Sequence, residues 1–286
     1  MGVYMQEVDC YNCGSEVHTY YASENGFNLV KCNQCGLLFV NPQPTEEDIE
    51  QAHKIGVHRG SKDLITTGDF IPQKIDNYLE ILNEFFPNKL ILTGKKWLDI
   101  GCGYGEFLEA LIKFTKGDIK AKGIEPNIYK QRTAQKRKLN VRFFDLEKHT
   151  DKYDVISLLN VYSHLIDPPK SIQSWKRLLN PGGELFLETG DTADFDSKDH
   201  HRPFKLPDHL SFASEKIVTD ILNDLGFEII EVKKYPYNKL SLKLLSKELL
   251  KFFWPNKHSR FIYLMNPKSY INSDMYIRAR LHTSTI

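Results

Sequence analysis

Four of the five cysteines stand as two close pairs, Cys10-Tyr-Asn-Cys13 and Cys32-Asn-Gln-Cys35. Two residues between thiols let the backbone turn both sulfurs onto one ion. Four thiolates with no open position suit a structural Zn²⁺ and leave no place to activate a water. Gly14 and Gly36 permit the tight exit from each knuckle. Met1 to Asp9 is polar and shows no export signal, so the expected compartment is cytoplasmic, where paired thiols favour a metal over disulfides. A module this small has little core, and the ion is assigned to its folding.

The second constellation is Asp99-Ile-Gly101-Cys102-Gly103-Tyr-Gly105, at the end of an apolar run and before Phe107, Leu108, Leu111 and Ile112 at helical spacing. Glycines let a ligand approach the backbone closely, and the following helix offers free N–H groups. Dinucleotide enzymes use a similar turn for pyrophosphate. Asp99 shifts the balance, because a carboxylate repels phosphate but stabilises the cationic amine and sulfonium of S-adenosylmethionine. Glu125, followed by Pro126, closes the next strand, where a carboxylate can accept both ribose hydroxyls. Asp145, at the tip of a strand expected over 141–144, suits the adenine amino group. Cys102 lies inside the glycine loop, where its backbone is expected to line the cofactor and its thiol to stay inert.

The elements that must position these groups alternate. A helix is expected over 75–86. Strands are expected at 96–100, 119–124, 141–144, 153–159, 184–188, 227–233 and 275–281. Trp175, Leu178 and Leu179 mark a helix ending at Asn180-Pro-Gly-Gly183, and Ser214 caps another that runs to Gly226. This βα alternation implies an α/β fold with a largely parallel sheet. Leu37 to Val40 reads as a strand closing on Pro42 and Pro44, Thr45 as a helix N-cap, and 53–68 as a linker or flap. From Lys233 to Ile286 there are eleven Lys or Arg against Glu248 and Asp274, which fits either a solvated face or a site for an anionic partner.

With these residues in place, the chain resembles the class I S-adenosylmethionine-dependent methyltransferases, and a subgroup with an N-terminal zinc ribbon joined by Asn-Pro-x-Pro. The resemblance rests on Asp99 to Gly105, Gly123-Ile-Glu-Pro126, Tyr153-Asp-Val-Ile156 and Leu178-Leu-Asn-Pro-Gly-Gly183. It implies a Rossmann-like, seven-stranded, mostly parallel sheet with the last strand antiparallel. It also implies cofactor roles for Asp99, Gly101, Gly103, Glu125 and Asp145, and places the Asn160 loop over the same crevice. Residues 1–44 are then the ribbon, 45–95 linker and N-terminal helices, and 96–286 the methyltransferase domain, with a basic lid or dimer segment near 238–270.

In the loop Asn160-Val-Tyr-Ser-His164 the family usually has Glu before the histidine, where this chain has Ser163. Asp208-His209-Leu is similar to a Glu-His-Leu segment of ribbon-bearing methyltransferases, some of which methylate carbon on deoxysugars. Those sugar enzymes have a nearby tyrosine where Leu206 stands here, so oxygen is the expected acceptor. His209 first and His164 second are the candidate bases, weighed against packing roles; His200, His201 and Arg202 rank below, as contacts for an anion or as solvated side chains. The expected acceptor is small and anionic, a sugar or nucleotide sugar. The alternative is an RNA methyltransferase gripping phosphates with ribbon and tail. Against it, the ribbon holds only Lys31 among Lys and Arg. Leu240 to Phe253, apolar residues with interspersed lysines, fits a lid or dimer contact ahead of a membrane-surface helix.

Overall fold

The computed structural model describes residues 4–236, 249, 253 and 272–283. In the ribbon, β1 (His18–Glu24), β2 (Phe27–Cys32) and β3 (Leu38–Val40) form an antiparallel sheet. Thr45 caps α1 (Glu46–Ile55), its hydroxyl accepting from the Asp48 amide at 3.4 Å, with Glu46, Glu47 and Asp48 at the positive end of the helix. Gly56, at φ 74°, ends α1 in the left-handed conformation and turns the chain into a short hairpin, Val57–His58 with Leu64–Ile65. The expected linker over 53–68 is thus the end of a helix plus a hairpin. Periodicity missed it because two-residue strands carry no repeat.

The main domain runs α2 (Gln73–Phe85), β4 (Lys96–Ile100), α3 (Glu106–Phe114), β5 (Lys120–Ile124), α4 (Ile128–Lys136), β6 (Val141–Arg142), β7 (Tyr153–Leu159), α5 (Pro168–Trp175) and β8 (Leu179–Gly190). It continues with β9 (Ser211–Phe212), α6 (Glu215–Asp224), β10 (Phe227–Pro236) and β11 (Asn272–Leu281). Seven strands form one sheet in the order β6-β5-β4-β7-β8-β11-β10. Six run in one direction, and β11 is antiparallel to both neighbours, as the resemblance implied. The order reverses between β4 and β7, so the crevice for a ligand lies at their C-terminal ends.

Two expected boundaries move. The third strand stops at Arg142, leaving Phe143 to Asp145 in a loop, because Phe143 is exposed and finds no neighbour to pair with. The helix expected to reach Leu179 ends at Trp175 with one further tight turn, and β8 begins at Leu179. There Asn180 to Gly183 form an irregularity between the Tyr153 and Val155 pairings instead of a loop before the strand.

Alternation along buried strands sorts side chains to the two faces. Trp97 and Phe186 meet Phe85 and Phe86 of the α2 region and Phe107 of α3 on one face, with ring centroids 5.2–6.3 Å apart. Leu98, Ile156, Leu158, Leu185 and Leu187 pack on the other face with Ile217 and Leu222 of α6, and with Cys10, Leu37 and Phe39 of the ribbon. The ribbon shares the main core, and β9 adds to its sheet by pairing Ser211 with Phe39 and Phe212 with Leu38.

The basic segment 238–270, apart from Leu249 and Phe253, lies outside the described residues, and with it the lid, dimer and membrane-surface expectations. Among the described residues no helix is long and apolar enough to cross a membrane. Phe186 has no exposed surface, and Phe186→Ala is expected to cost about 3–5 kcal/mol of unfolding free energy. Urea denaturation checks this; a loss below 1 kcal/mol would mean that the α2 face repacks around the vacancy.

Candidate active site

The ribbon cysteines converge. Cys10 and Cys35 bring their sulfurs to 3.4 Å, Cys13 and Cys32 to 3.5 Å, and all four ligand atoms lie within 4.8 Å of one another. Tetrahedral Zn–S bonds of about 2.3 Å place sulfurs roughly 3.8 Å apart, whereas a disulfide needs about 2.05 Å. The donor set therefore fits a structural zinc. Gly14 and Gly36 donate back to the Cys10 and Cys32 carbonyls at 2.8 and 3.0 Å, forming the two knuckles.

The glycine loop follows β4. Gly101 sits at φ 71°, where an added Cβ would lie 2.5 Å from Val161 Cγ2, so glycine is required for the Val161 loop to close over it. Gly103, at φ 55°, has nothing within 4 Å of where a Cβ would be, which leaves its face open for a ligand. Its amide donates to Glu125 Oε2 at 2.9 Å, and the other carboxylate oxygen takes the Asn127 amide at the same distance. Pro126 bridges these two residues. Asn127 then caps α4, accepting from the Tyr129 and Lys130 amides at 3.1 Å. Burial pushes the Glu125 carboxyl up, with Lys130 opposing.

Asp99 is buried beneath the loop. Ser157 donates to it at 2.5 Å and in turn accepts from the Trp97 indole at 2.9 Å. Burial, with the charges of Glu125, Glu188 and Glu106, pushes Asp99 up to about 7 despite the Ser157 bond. Cys102 packs its thiol among Leu108, Ala134, Leu139 and Val141, and burial holds it well above the usual thiol range, so it is inert. Asn160, at φ 56°, takes up the turn after β7, its amide donating to the Glu188 carbonyl at 3.1 Å. Asp145 is exposed, accepts from the Glu147 amide at 2.9 Å and pairs with Lys148 at 3.2 Å; it caps its own loop, beyond the end of β6.

On the other side of the Val161 loop lies a histidine cluster. His164 Nδ1 stands 2.7 Å from the Asp208 carbonyl and 3.2 Å from Asp208 Oδ1. His58 Nε2 reaches the same Oδ1 at 3.0 Å. The His209 ring packs edge-on to His164 at 4.7 Å, and His53 lies 5.3 Å from His58 and 6.2 Å from His164. Burial opposes the charge on Asp208, but His164 and His58 hold it well below the usual range. Burial and the charge on His164 push His209 down to about 3, and burial with His164 and His58 pushes His53 down to about 4. Asp208 overcomes burial to raise His164. The two expected bases are thus adjacent but unequal.

His53 and His58 were not among the expected site residues. The available signal was phase: Ile49, Ala52 and His53 share one face of α1, the buried one. The segment carrying them is pinned over the crevice. Tyr104 of the glycine loop donates to the Thr67 and Gly68 carbonyls at 3.1 and 2.8 Å, and Asn127 donates to the Lys54 carbonyl at 3.3 Å. On the ribbon side, Asn25 accepts from the Ser61 and Lys62 amides. His200 and His201 are buried and not solvated: His200 packs on Phe204 and Phe212, and His201 stands 3.0 Å from the Ser273 hydroxyl.

A seven-stranded sheet of this order, with an acid under a glycine loop and a second acid one strand away, defines a class I S-adenosylmethionine-dependent methyltransferase domain. A family model described as a methyltransferase domain matches residues 72–232, and the chain belongs to that family. The ubiquinone biosynthesis O-methyltransferase of Coxiella burnetii is 30% identical over 115 residues, covering 37% of this chain and 48% of that protein. Its counterpart in Haemophilus ducreyi is 36% identical over 113 residues, covering 34% and 46%. The chain spans about half the length of these curated relatives. Among solved structures, a candidate sarcosine dimethylglycine methyltransferase from Galdieria sulphuraria shares the fold with a TM-score of 0.54 at 16% identity, covering 76% of this chain and 93% of that one. Coclaurine N-methyltransferase bound to N-methylheliamine and SAH does so at 0.52 and 15%, covering 71% and 72%.

Because the ribbon shares the main core, stripping its metal with a chelator is expected to lower the Tm of the whole domain in a single transition. A fall of at least about 4 °C is expected, each kcal/mol being worth roughly 2–4 °C at this size. Differential scanning calorimetry checks it, and an unshifted main transition would make the ribbon an independent module.

Proposed function

We propose that this protein transfers the methyl group of S-adenosylmethionine to a hydroxyl of a small molecule, such as a sugar or nucleotide sugar. The observation that carries the reading is the open Gly103 face bonded to Glu125 above the buried Asp99, with Gly101 packed against the loop that carries Val161 and, three residues on, the His164 of the His164, Asp208 and His209 cluster. When bound, the donor supplies a methyl carbon already activated by its sulfonium. Glu125, fixed by two backbone amides, would accept from the ribose; Asp99 would stabilise the cationic end; Asp145 would face the adenine side. Most of the acceleration then comes from alignment, worth up to roughly 7–11 kcal/mol. Removal of the hydroxyl proton at the histidine cluster adds about 10²–10⁴-fold.

The relatives named for O-methyl transfer support oxygen as the acceptor atom. An anionic acceptor, matched to the basic segment, belongs to the same reading. The RNA alternative loses support: the ribbon's Lys31 is turned inward, donating to the Ala193 carbonyl at 3.1 Å, which leaves that module without a cation for phosphates.

Titration calorimetry with S-adenosylmethionine is expected to show micromolar binding that is lost in Asp99→Ala and Glu125→Ala. No binding by the intact protein would sink the proposal. Binding also carries a pH signature. An acid with its pKa raised to about 7 is neutral below that pH and charged above it, and a cationic donor prefers the charged form. Affinity is therefore expected to rise between pH 6 and 8, by up to about tenfold per unit, and then level. In Asp99→Asn the profile should be weak and much flatter; a wild-type profile falling with pH would contradict the role given to Asp99.

A further inference from the structure

Three residues from three separate elements bring ligand atoms together on the acceptor side of the crevice: His53 from α1, His164 from the loop after β7, and Asp208 from the segment before β9. One donor atom from each lies within 4.8 Å of the other two. The geometry points to a second metal site here, distinct from the ribbon, in which His53, His164 and Asp208 hold one divalent transition ion of the Zn²⁺ kind.

Two imidazoles and a carboxylate are a donor set suited to such ions, and three protein ligands leave coordination positions open to an acceptor oxygen. The hydrogen-bonding inventory favours an ion over a self-contained network. His53 makes no hydrogen bond among the described residues, and its ring stacks edge-on against two other imidazoles. His58 is buried, and its Nε2 has no hydrogen bond of proper geometry although Asp208 Oδ1 is 3.0 Å away. An ion would take lone pairs from His53 and His164 without needing their protons, which gives the His53 ring the partner it lacks. The supporting contacts have the form that orients metal ligands: His164 Nδ1 lies 2.7 Å from a backbone carbonyl, and His58 stands behind the Asp208 carboxylate. All of this faces the crevice under the segment that Tyr104 and Asn127 pin down.

The site deepens the proposed methyl transfer, and its place in catalysis rests on that reading: an ion beside the acceptor would lower the pKa of a bound hydroxyl, so that its proton is released to water before the oxygen takes the methyl group. Its existence does not rest on that reading. The test is metal content. The purified full chain, stripped and reconstituted with Co²⁺, is expected to bind about two ions per chain, one with sulfur charge-transfer absorption from the ribbon and one with only weak visible bands from nitrogen and oxygen ligands. His53→Gln and Asp208→Asn should each lose the second ion and keep the thiolate bands, which also report that the variant has folded. One ion per chain in the intact protein would overturn the proposal, as would two ions retained in both variants. Donor binding measured on the same samples separates the two ideas: one ion with intact S-adenosylmethionine binding removes the second metal site and leaves the methyltransferase reading standing, while two ions without donor binding does the reverse.

Discussion

Ser211 and Phe212 pair with Phe39 and Leu38, and this short antiparallel contact decides where much of the site stands. It makes a strand of the main domain the fourth strand of the ribbon. Asp208 and His209 immediately precede it, so their position is set from the ribbon side, while His164 arrives from the sheet side. The amide of Leu210 donates to the Ser163 carbonyl at 2.7 Å and its carbonyl accepts from Val40, closing the triangle between ribbon, β9 and the loop after β7. The four-cysteine cluster is thereby tied to the position of Asp208 and His209 through the register of one two-residue strand.

The sheet and the glycine loop were legible in the residues because they obey local rules. Asp99, Gly101 and Gly103 announce a strand entering a tight turn, and Glu125 falls at the end of the next apolar run. Thr45 and Ser214 cap the helices they were expected to cap. The histidine cluster was only half legible. His164 and His209 could be picked from their segments, but His53 and His58 reach Asp208 across about 150 residues of chain, and no local pattern encodes such a contact. The strand expected over 141–144 failed in the opposite sense: its segment reads as a strand, yet pairing stops at Arg142, because strand extension depends on a neighbour that the sequence window does not contain.

The two sides of the crevice handle charge differently. On the donor side Asp99 is short of cations, and burial raises its pKa toward neutrality, a state relieved by a positively charged ligand. Glu188, also raised to about 7, and Asp274, to about 6, add to this deficit at the same edge of the sheet. In the histidine cluster the Asp208 carboxylate favours the charge on His164, while burial keeps His53 and His209 neutral near pH 7.

Tyr104 belongs to the glycine loop by sequence and to the covering segment by its hydroxyl, which donates to two successive carbonyls there. The loop that would cradle the donor and the helix that carries His53 are therefore parts of one linkage. The glycine loop and the covering segment can thus move apart only by giving up both Tyr104 bonds, so the cover has the loop itself as its latch.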